Sequence, residues 1–492
     1  MNRQLTRVAG VAMTLIVALI VATTYWQTWA RPGLAARQDN EIQRVAEFQV
    51  RRGLILAPGR VLARNRVEQR RRQTLYFRRY PQGKLAAHVV GYSTVSRARA
   101  GLEKSLNGIL TGTERNLGGL VERQLNELRN KPIVGDTVVT TLDLRAQKVA
   151  LDALGRTCGA VVALDPRSGK LLVMASSPSY NPNLVENRFG QIGKITAGCR
   201  PAAPLVNRAS QGLYPPGSTF KVVTLAAALE SNRFEPDSTF FDPGYCTVYG
   251  KRVNNFDTSS PFGNLTLATA LQHSVNSVFC NIGKALGAKR ILTQARKFGF
   301  YERPPLETPD GERYPSGLYR RGDLWYPVRN SDVDAGRMAF GQERMLVTPM
   351  QMAMVAGAVG NAGILMRPWV VEKIVNPQGK TVDRTERERM DRAVGPVNAR
   401  EIQDMMVSAV QGGTGTAAQI AGYRVGGKTG TAETGVSGKN VTWFIAFAGR
   451  PGQRPEVAIA VALENQSLTG GATAAPIART VMESLLRSPT TG

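Results

Sequence analysis

Tyr214-Pro215-Pro216-Gly217-Ser218-Thr219-Phe220-Lys221 runs straight into Val222-Val223-Thr224-Leu225-Ala226-Ala227-Ala228-Leu229, and this junction decides how the chain is read. Two prolines and a glycine end the preceding segment, because proline fixes φ and offers no N–H. The alanine- and leucine-rich run after them predicts a buried helix. Ser218 then stands at the helix N-terminus, and Lys221 follows one turn on along the same face, so the amine can reach the hydroxyl. A serine is a weak nucleophile near neutral pH unless a base lies within hydrogen-bond reach. A lysine becomes that base when burial and neighbours lower its pKa. The unpaired N–H groups and positive dipole end of the helix suit a place where an oxyanion forms. Taken alone, the pair also fits a serine cap followed by an ordinary surface lysine.

Two further segments tip that choice. Ser274-Val275-Asn276 lies in 271–281, where polar residues break an apolar stretch, and Lys428-Thr429-Gly430-Thr431 lies in 424–433, which has the look of a strand. Ser218/Lys221 is the only Ser-x-x-Lys in the chain, whereas Ser-x-Asn recurs at 105–107 and 179–181. The ordered triplet therefore carries the weight, not any single motif. Ser-x-x-Lys, then Ser-x-Asn, then Lys-Thr-Gly resembles the signature of penicillin-binding proteins and serine β-lactamases.

The residue inventory argues against rival hydrolases. With only His88 and His273 present, a multi-histidine zinc site is not expected. A Ser-His-Asp triad would need His273, next to Ser274, which reads as a supporting or surface histidine; there is no Gly-x-Ser-x-Gly elbow. No metal or organic cofactor is implied.

The 492-residue chain is longer than one domain usually is. Arg3 and Arg7 precede residues 8–30, which carry no charge and end near Trp26 and Trp29. That is long enough to cross a bilayer, with aromatics at one interface. An uncleaved, single-pass anchor in the cytoplasmic membrane is expected in preference to a signal peptide, with the remainder facing outward, although Arg31 and Arg37 blunt the charge asymmetry. Cys158, Cys199, Cys246 and Cys280 match no close metal spacing, and an oxidising compartment favours disulfides. Three pairings are open. Cys158–Cys199 with Cys246–Cys280 is expected, the second bracketing Ser274 and Asn276; free buried thiols are the alternative.

The formal charge is +26, and residues 37–131 hold 20 Lys plus Arg against 8 Asp plus Glu, including Arg70-Arg71-Arg72. Facing outward, such a surplus suits anionic headgroups or wall polymers and not nucleic acid. A solvated basic face is the plain alternative.

Along the chain, 37–50 reads as a short amphipathic helix and 51–64 as strand, turn and strand. The latter resembles the start of the pedestal domain of class B penicillin-binding proteins, with Ala57-Pro58 where that family usually has Asp-Arg. Gly101-Leu102-Glu103 resembles another pedestal feature, and 138–154 the strand and helix that lead into the catalytic domain. From Cys158 a hairpin follows at 159–176, then Ser177-Pro178-Ser179-Tyr180-Asn181-Pro182-Asn183, a loop similar to the family's. Helices dominate 219–298. The loop-like 302–334 is expected to edge the cleft. Phe340-Gly341-Gln342 and 347–353 open a buried helix, 370–384 is a hairpin about 376–379, 442–449 and 456–463 complete a sheet, and 472–486 closes the domain.

The resemblance to class B penicillin-binding proteins thus covers about residues 51 to 486. It implies a mixed α/β (α+β) serine penicillin-recognising transpeptidase fold, an antiparallel sheet flanked by helices, behind an elongated pedestal and one transmembrane helix. The expected division is 1–30 cytoplasmic tip and anchor, 31–157 pedestal, and 158–492 transpeptidase domain, with no glycosyltransferase domain. The resemblance further implies acyl transfer on peptidoglycan stem peptides ending in D-Ala-D-Ala. Ser218 attacks, Lys221 takes its proton, Ser274 relays a proton to the departing D-alanine, and Asn276 binds the substrate amide and steadies Lys221. Lys428 sets a positive field, with Thr429, Gly430 and Thr431 as the substrate strand and the Thr429 and Thr431 hydroxyls on the terminal carboxylate. The N–H groups of Ser218 and Thr431 form the oxyanion hole. β-Lactams should acylate Ser218. The family's usual partner is a polytopic SEDS glycosyltransferase bound through anchor and pedestal. A D,D-carboxypeptidase, a β-lactamase-like hydrolase and a β-lactam sensor are the alternative readings.

Overall fold

The computed structural model describes residues 2–26, 48–70, 73–113, 134–327, 329–436 and 438–487. The helix expected at 37–50 falls almost wholly outside them, as do Trp29, Arg31, Arg37, Arg71, Arg72 and the 488–492 tail. Asn2–Thr24 forms one helix, and Thr6–Thr24 is long and apolar enough to cross a membrane, with none of it buried. A helix that exposes Leu15, Ile16, Leu19 and Ile20 together hides no apolar face in the protein, so it is a candidate membrane anchor.

A six-stranded sheet runs in the order Thr381–Arg384, Val371–Val375, Thr137–Thr140, Ile55–Ala57, Arg60–Arg70, Gln73–Arg79. The strand–turn–strand expected at 51–64 is part of it. Ala57 faces Arg60 across a tight turn, where Gly59 takes φ +68°, a region that suits glycine. The outer two strands come from the hairpin about 376–379, and Val371–Val375 pairs with Thr137–Thr140. One sheet therefore crosses the 157/158 boundary.

Arg78 of this sheet joins Arg52 and Glu103 in a charge cluster whose side chains are buried. Glu103 accepts from Arg52 Nη2 at 2.9 Å and from Arg78 Nε at 2.5 Å, and Arg52 also reaches Asn107 Oδ1 at 2.7 Å. Burial works against a charged Glu103, but Arg78 and Arg52 outweigh it and hold its pKa below the usual carboxylate range. Breaking a buried pair from one side leaves an uncompensated charge, which costs about 3–5 kcal/mol. Glu103→Gln should therefore lower stability by roughly that amount in a denaturant titration. A midpoint equal to the parent's would show that the cluster does not hold the pedestal together. The pedestal is tied to the rest by Asn183, which donates to Tyr80 O and accepts from Tyr80 N, both at 2.9 Å. The Glu312 carboxylate adds a second tie, accepting from Gly101 N at 3.1 and 3.2 Å.

The second sheet has five antiparallel strands ordered Arg424–Glu433, Asn440–Gly449, Val457–Gln466, Gly159–Leu164, Leu171–Ser177. Side chains alternate between two cores, as a period of two demands. Ile459, Val461 and Leu463 enter the core that also holds Ala146, Ala150, Ala474 and Val481. Those last residues lie on the Leu144–Leu154 and Gly470–Leu486 helices. Ala458, Ala460 and Ala462 face the other core, where their small size lets Pro349–Gly360, buried along its whole length, lie close to the sheet. This second core also contains Lys221–Leu229, buried at every position, as the sequence predicts.

Two expectations need correction. The stretch read as mainly helical also contains short strands at Thr239–Asp242, Tyr245–Val248, Lys251–Asn254 and Gly263–Thr266. Each is four residues long and partly exposed, too short for an alternating pattern to register. Buried Asp242, at the end of the first, links the loops beside them, accepting from Gly244 N and Asn255 Nδ2 at 2.9 Å, Phe262 N at 3.0 Å and Ser277 Oγ at 2.5 Å. The 302–334 segment contributes no described residue to the cleft wall. Its Glu312 instead meets the pedestal, and its Gly317–Arg320 strand pairs with Met345–Leu346.

Candidate active site

The sequence Pro-Pro-Gly before Ser218 makes a single 3-10 turn, Gly217–Phe220, that leads into the buried helix. Trp443 Nε1 holds the turn by donating to Pro215 O at 2.9 Å. Close approach at three points requires glycine. A Cβ on Gly430 would lie 2.9 Å from Pro216 O, one on Gly217 would lie 3.0 Å from Thr431 O, and one on Gly341 would lie 2.0 Å from Gly217 O. The turn is thus pressed against the Arg424–Glu433 strand, which forms an edge of its sheet.

Ser218 is half-buried in the wall of a cleft of about 1120 Å³, also lined by Ser274, Asn276, Thr414, Thr429, Gly430 and Thr431. Its hydroxyl makes no hydrogen bond among the described residues, so the expected Ser218–Lys221 bond is not formed here. Lys221 is fully buried and donates to Ser274 O at 2.6 Å, Asn276 Oδ1 at 2.7 Å and Ser274 Oγ at 3.2 Å. The amine points to the second motif, which closes over it.

That contact depends on backbone shape. Ser274 has φ +63°, a left-handed conformation that a non-glycine residue holds only when its surroundings impose it. It lies between the Leu267–Gln272 and Asn276–Leu286 helices. The kink brings both its carbonyl and its hydroxyl to Lys221. From the other side, Lys428 donates to the same hydroxyl at 2.8 Å and to Thr429 O at 3.1 Å. One serine hydroxyl therefore sits between two buried amines.

Burial disfavours charge on both lysines. It brings Lys428 down to about 7. Burial and then the Lys428 charge hold Lys221 well below the ordinary lysine range. A neutral Lys221 still has two N–H donors for its two carbonyl acceptors, and its lone pair is left for a hydroxyl proton.

The remaining residues shape the binding wall. Asn276 Nδ2 donates to Asn254 O at 3.1 Å while its oxygen serves Lys221, which fixes the amide and leaves one N–H. Thr429 shares a 2.6 Å hydrogen bond with Thr414, and Thr431 Oγ1 accepts from Gly470 N at 3.2 Å. Thr414 was not among the expected site residues; its signal is a hydroxyl in the Gly-rich 412–417 stretch just before the Lys428 strand. His273 lines the cleft and packs on Phe262, with ring centroids 5.0 Å apart. Cys158 is bonded to Cys199 and Cys246 to Cys280; the second bond ties the Tyr245–Val248 strand to the helix that begins at Asn276. Among the described residues, Cys158, Cys199 and Glu464 are the cluster with metal-type donors. The two sulfurs are joined to each other, however, and Glu464 accepts from Arg208 Nε at 2.8 Å and Tyr214 OH at 2.7 Å.

A two-part chain with a nucleophile-type serine, two buried lysines and a hydroxyl-lined edge strand defines a serine penicillin-recognising class. The family model for the penicillin binding protein transpeptidase domain matches residues 159–483, and that for the penicillin binding protein A dimerisation domain matches 52–138. The chain is 35% identical to the peptidoglycan D,D-transpeptidase PbpA of Mycolicibacterium smegmatis over 508 aligned residues, covering 99% of each. It is 34% identical to PbpA of Mycobacterium tuberculosis, again over 99% of each. The solved structure of M. tuberculosis penicillin-binding protein A as a ceftriaxone acyl-enzyme covers 90% of this chain and 100% of its own at 33% identity, with TM-score 0.79. The penicillin G acyl-enzyme of the same protein gives TM-score 0.77 at 33% identity, covering 89% and 99%. The chain belongs to the penicillin-binding protein transpeptidase family.

Proposed function

We propose that the chain is a peptidoglycan D,D-transpeptidase that cross-links stem peptides through an acyl-enzyme on Ser218 and is inhibited covalently by β-lactams. The observation that carries this reading is the placement of Lys221 and Lys428 on the single Ser274 hydroxyl, in the cleft that Ser218 lines. Lys221 removes the Ser218 proton as the hydroxyl attacks the penultimate carbonyl of D-Ala-D-Ala. Ser274 passes a proton to the departing D-alanine nitrogen, and the free N–H of Asn276 holds the substrate amide. The N–H groups of Ser218 and Thr431 take the oxyanion. Thr429 and Thr431, with Lys428 behind them, hold the terminal carboxylate.

The remaining assignments belong to the same reading. The parts are anchor 1–30, pedestal 31–157 and transpeptidase domain 158–492, with the hairpin about 376–379 lent to the pedestal sheet. The apolar helix supports a single-pass anchor that leaves the catalytic part extracytoplasmic. Anchor and pedestal together supply a surface for a SEDS-type glycosyltransferase, testable by co-purification through residues 1–130.

Transpeptidase and hydrolase readings separate on the fate of the adduct. With full-length protein in detergent, benzylpenicillin should give one stable adduct that persists for hours by intact mass. Turnover within seconds would assign a β-lactamase-like hydrolase instead.

A further inference from the structure

Acyl transfer to an amine needs a second substrate. The donor side of the cleft is lined by the hydroxyls of Thr414, Thr429 and Thr431, with buried Lys428 behind them. An incoming alkyl amine is protonated near neutral pH, its pKa being about 10, and Arg252 and Arg337, which line the same cleft, repel it. It therefore needs a carboxylate elsewhere on the wall.

Three carboxylates line the cleft: Asp257, Glu343 and Glu433. Asp257 is exposed and already accepts from Ser259 N at 2.9 Å and Ser259 Oγ at 2.6 Å. Glu433 is exposed at the end of its strand. Glu343 differs in several respects. Its side chain is only 17% exposed, its one ion pair among the described residues is with Arg344 at 3.8 Å, and it accepts no hydrogen bond from any of them. Its backbone is held at φ +64°, a left-handed conformation that the surroundings must impose on a non-glycine residue. It also stands two residues after Gly341, whose carbonyl accepts from Gly217 N at 3.1 Å, so the nucleophile turn is its neighbour.

We propose that Glu343 recognises the acceptor amine, making it a specificity-determining residue for a cationic, amine-bearing stem peptide; this rests on the transpeptidase reading above. The amine attacks the acyl-enzyme carbonyl, forming the C–N bond and breaking the C–Oγ bond. Of the two protons the ammonium loses, one goes to the Glu343 carboxylate and the other, through Lys221, to the departing Ser218 oxygen. Burial raises the pKa of Glu343, and Arg344 lowers it, Asp334 raises it and Arg337 lowers it in turn. The net rise fits a carboxylate that accepts a proton.

The test measures partition of a single acyl-enzyme. Full-length protein in detergent is supplied with an N-acyl-D-Ala-D-lactate donor and Nα-acetyl-lysine amide as acceptor, and amide and acid products are quantified by mass spectrometry. Both products arise from the same intermediate, so their ratio does not depend on the acylation rate. Glu343→Gln should lower the amide-to-acid ratio by about tenfold or more and raise the apparent KM for the amine, the scale expected when one charged partner is lost. Glu343→Gly, which suits the left-handed backbone, should do the same, and it decides the question if the glutamine variant does not fold. An unchanged ratio in a folded variant would overturn the assignment. A parent that forms no acyl-enzyme would overturn the transpeptidase reading itself, and with it this one.

Discussion

Ser218→Ala is expected to abolish covalent labelling by a fluorescent penicillin while the protein keeps its fold. Ser218 is half-buried and its hydroxyl bonds to no described residue, so its removal leaves no partner unsatisfied. Substitutions of that kind usually stay within about 0.5 kcal/mol. Loss of labelling would then report chemistry and not unfolding, and an unchanged thermal midpoint checks this directly. Stoichiometric labelling of the alanine variant would remove Ser218 as nucleophile.

Lys221→Ala is expected to lower the acylation rate by about 10²–10⁴-fold, the usual effect of losing a positioned general base. Truncation also frees Ser274 O and Asn276 Oδ1, which Lys221 now holds at 2.6 and 2.7 Å, so some of the loss comes from a looser second motif. Lys221→Arg separates the two effects. Guanidinium keeps the positive charge and the donors but does not deprotonate in proteins. A base role predicts that arginine fails to rescue; rescue by arginine would assign Lys221 an electrostatic role instead.

The pH profile follows from the two lysines. Lys221 must be neutral to accept a proton, so acylation should fall as pH drops through its depressed pKa. Lys428 must be charged to attract a carboxylate, and in the free protein that charge is lost as pH rises through about 7. Acylation under kcat/KM conditions should therefore be bell-shaped, with apparent values that belong to the coupled pair. An acid limb that persists unchanged in Lys221→Ala would contradict the base role.

Much of this site was legible in order along the chain because each motif is local. Ser218 and Lys221 lie one turn apart at a helix start, and 428–431 lie on one strand. The contacts among motifs were not legible, since they depend on long-range packing. Lys221 turned to Ser274 and Asn276 because a left-handed serine bends its carbonyl back, and no sequence pattern announces φ +63° at a non-glycine residue. The strands between 239 and 266 were missed because buried Asp242 organises them through its hydrogen bonds. The Arg52–Glu103–Arg78 cluster joins residues distant in sequence, and each of them alone reads as surface charge. Pairing of Val371–Val375 with Thr137–Thr140 likewise lies beyond any local signal. Nothing in the sequence beside Phe340-Gly341-Gln342 marks Glu343, because its φ of +64° and its place in the cleft wall are set by packing.

Incubating the full-length protein with benzylpenicillin, digesting it and sequencing the modified peptide by tandem mass spectrometry tests the central claim most directly. The expected result is one adduct, on the hydroxyl of Ser218, within the peptide that ends at Lys221. An adduct on another residue, or none at all on folded protein, would contradict it.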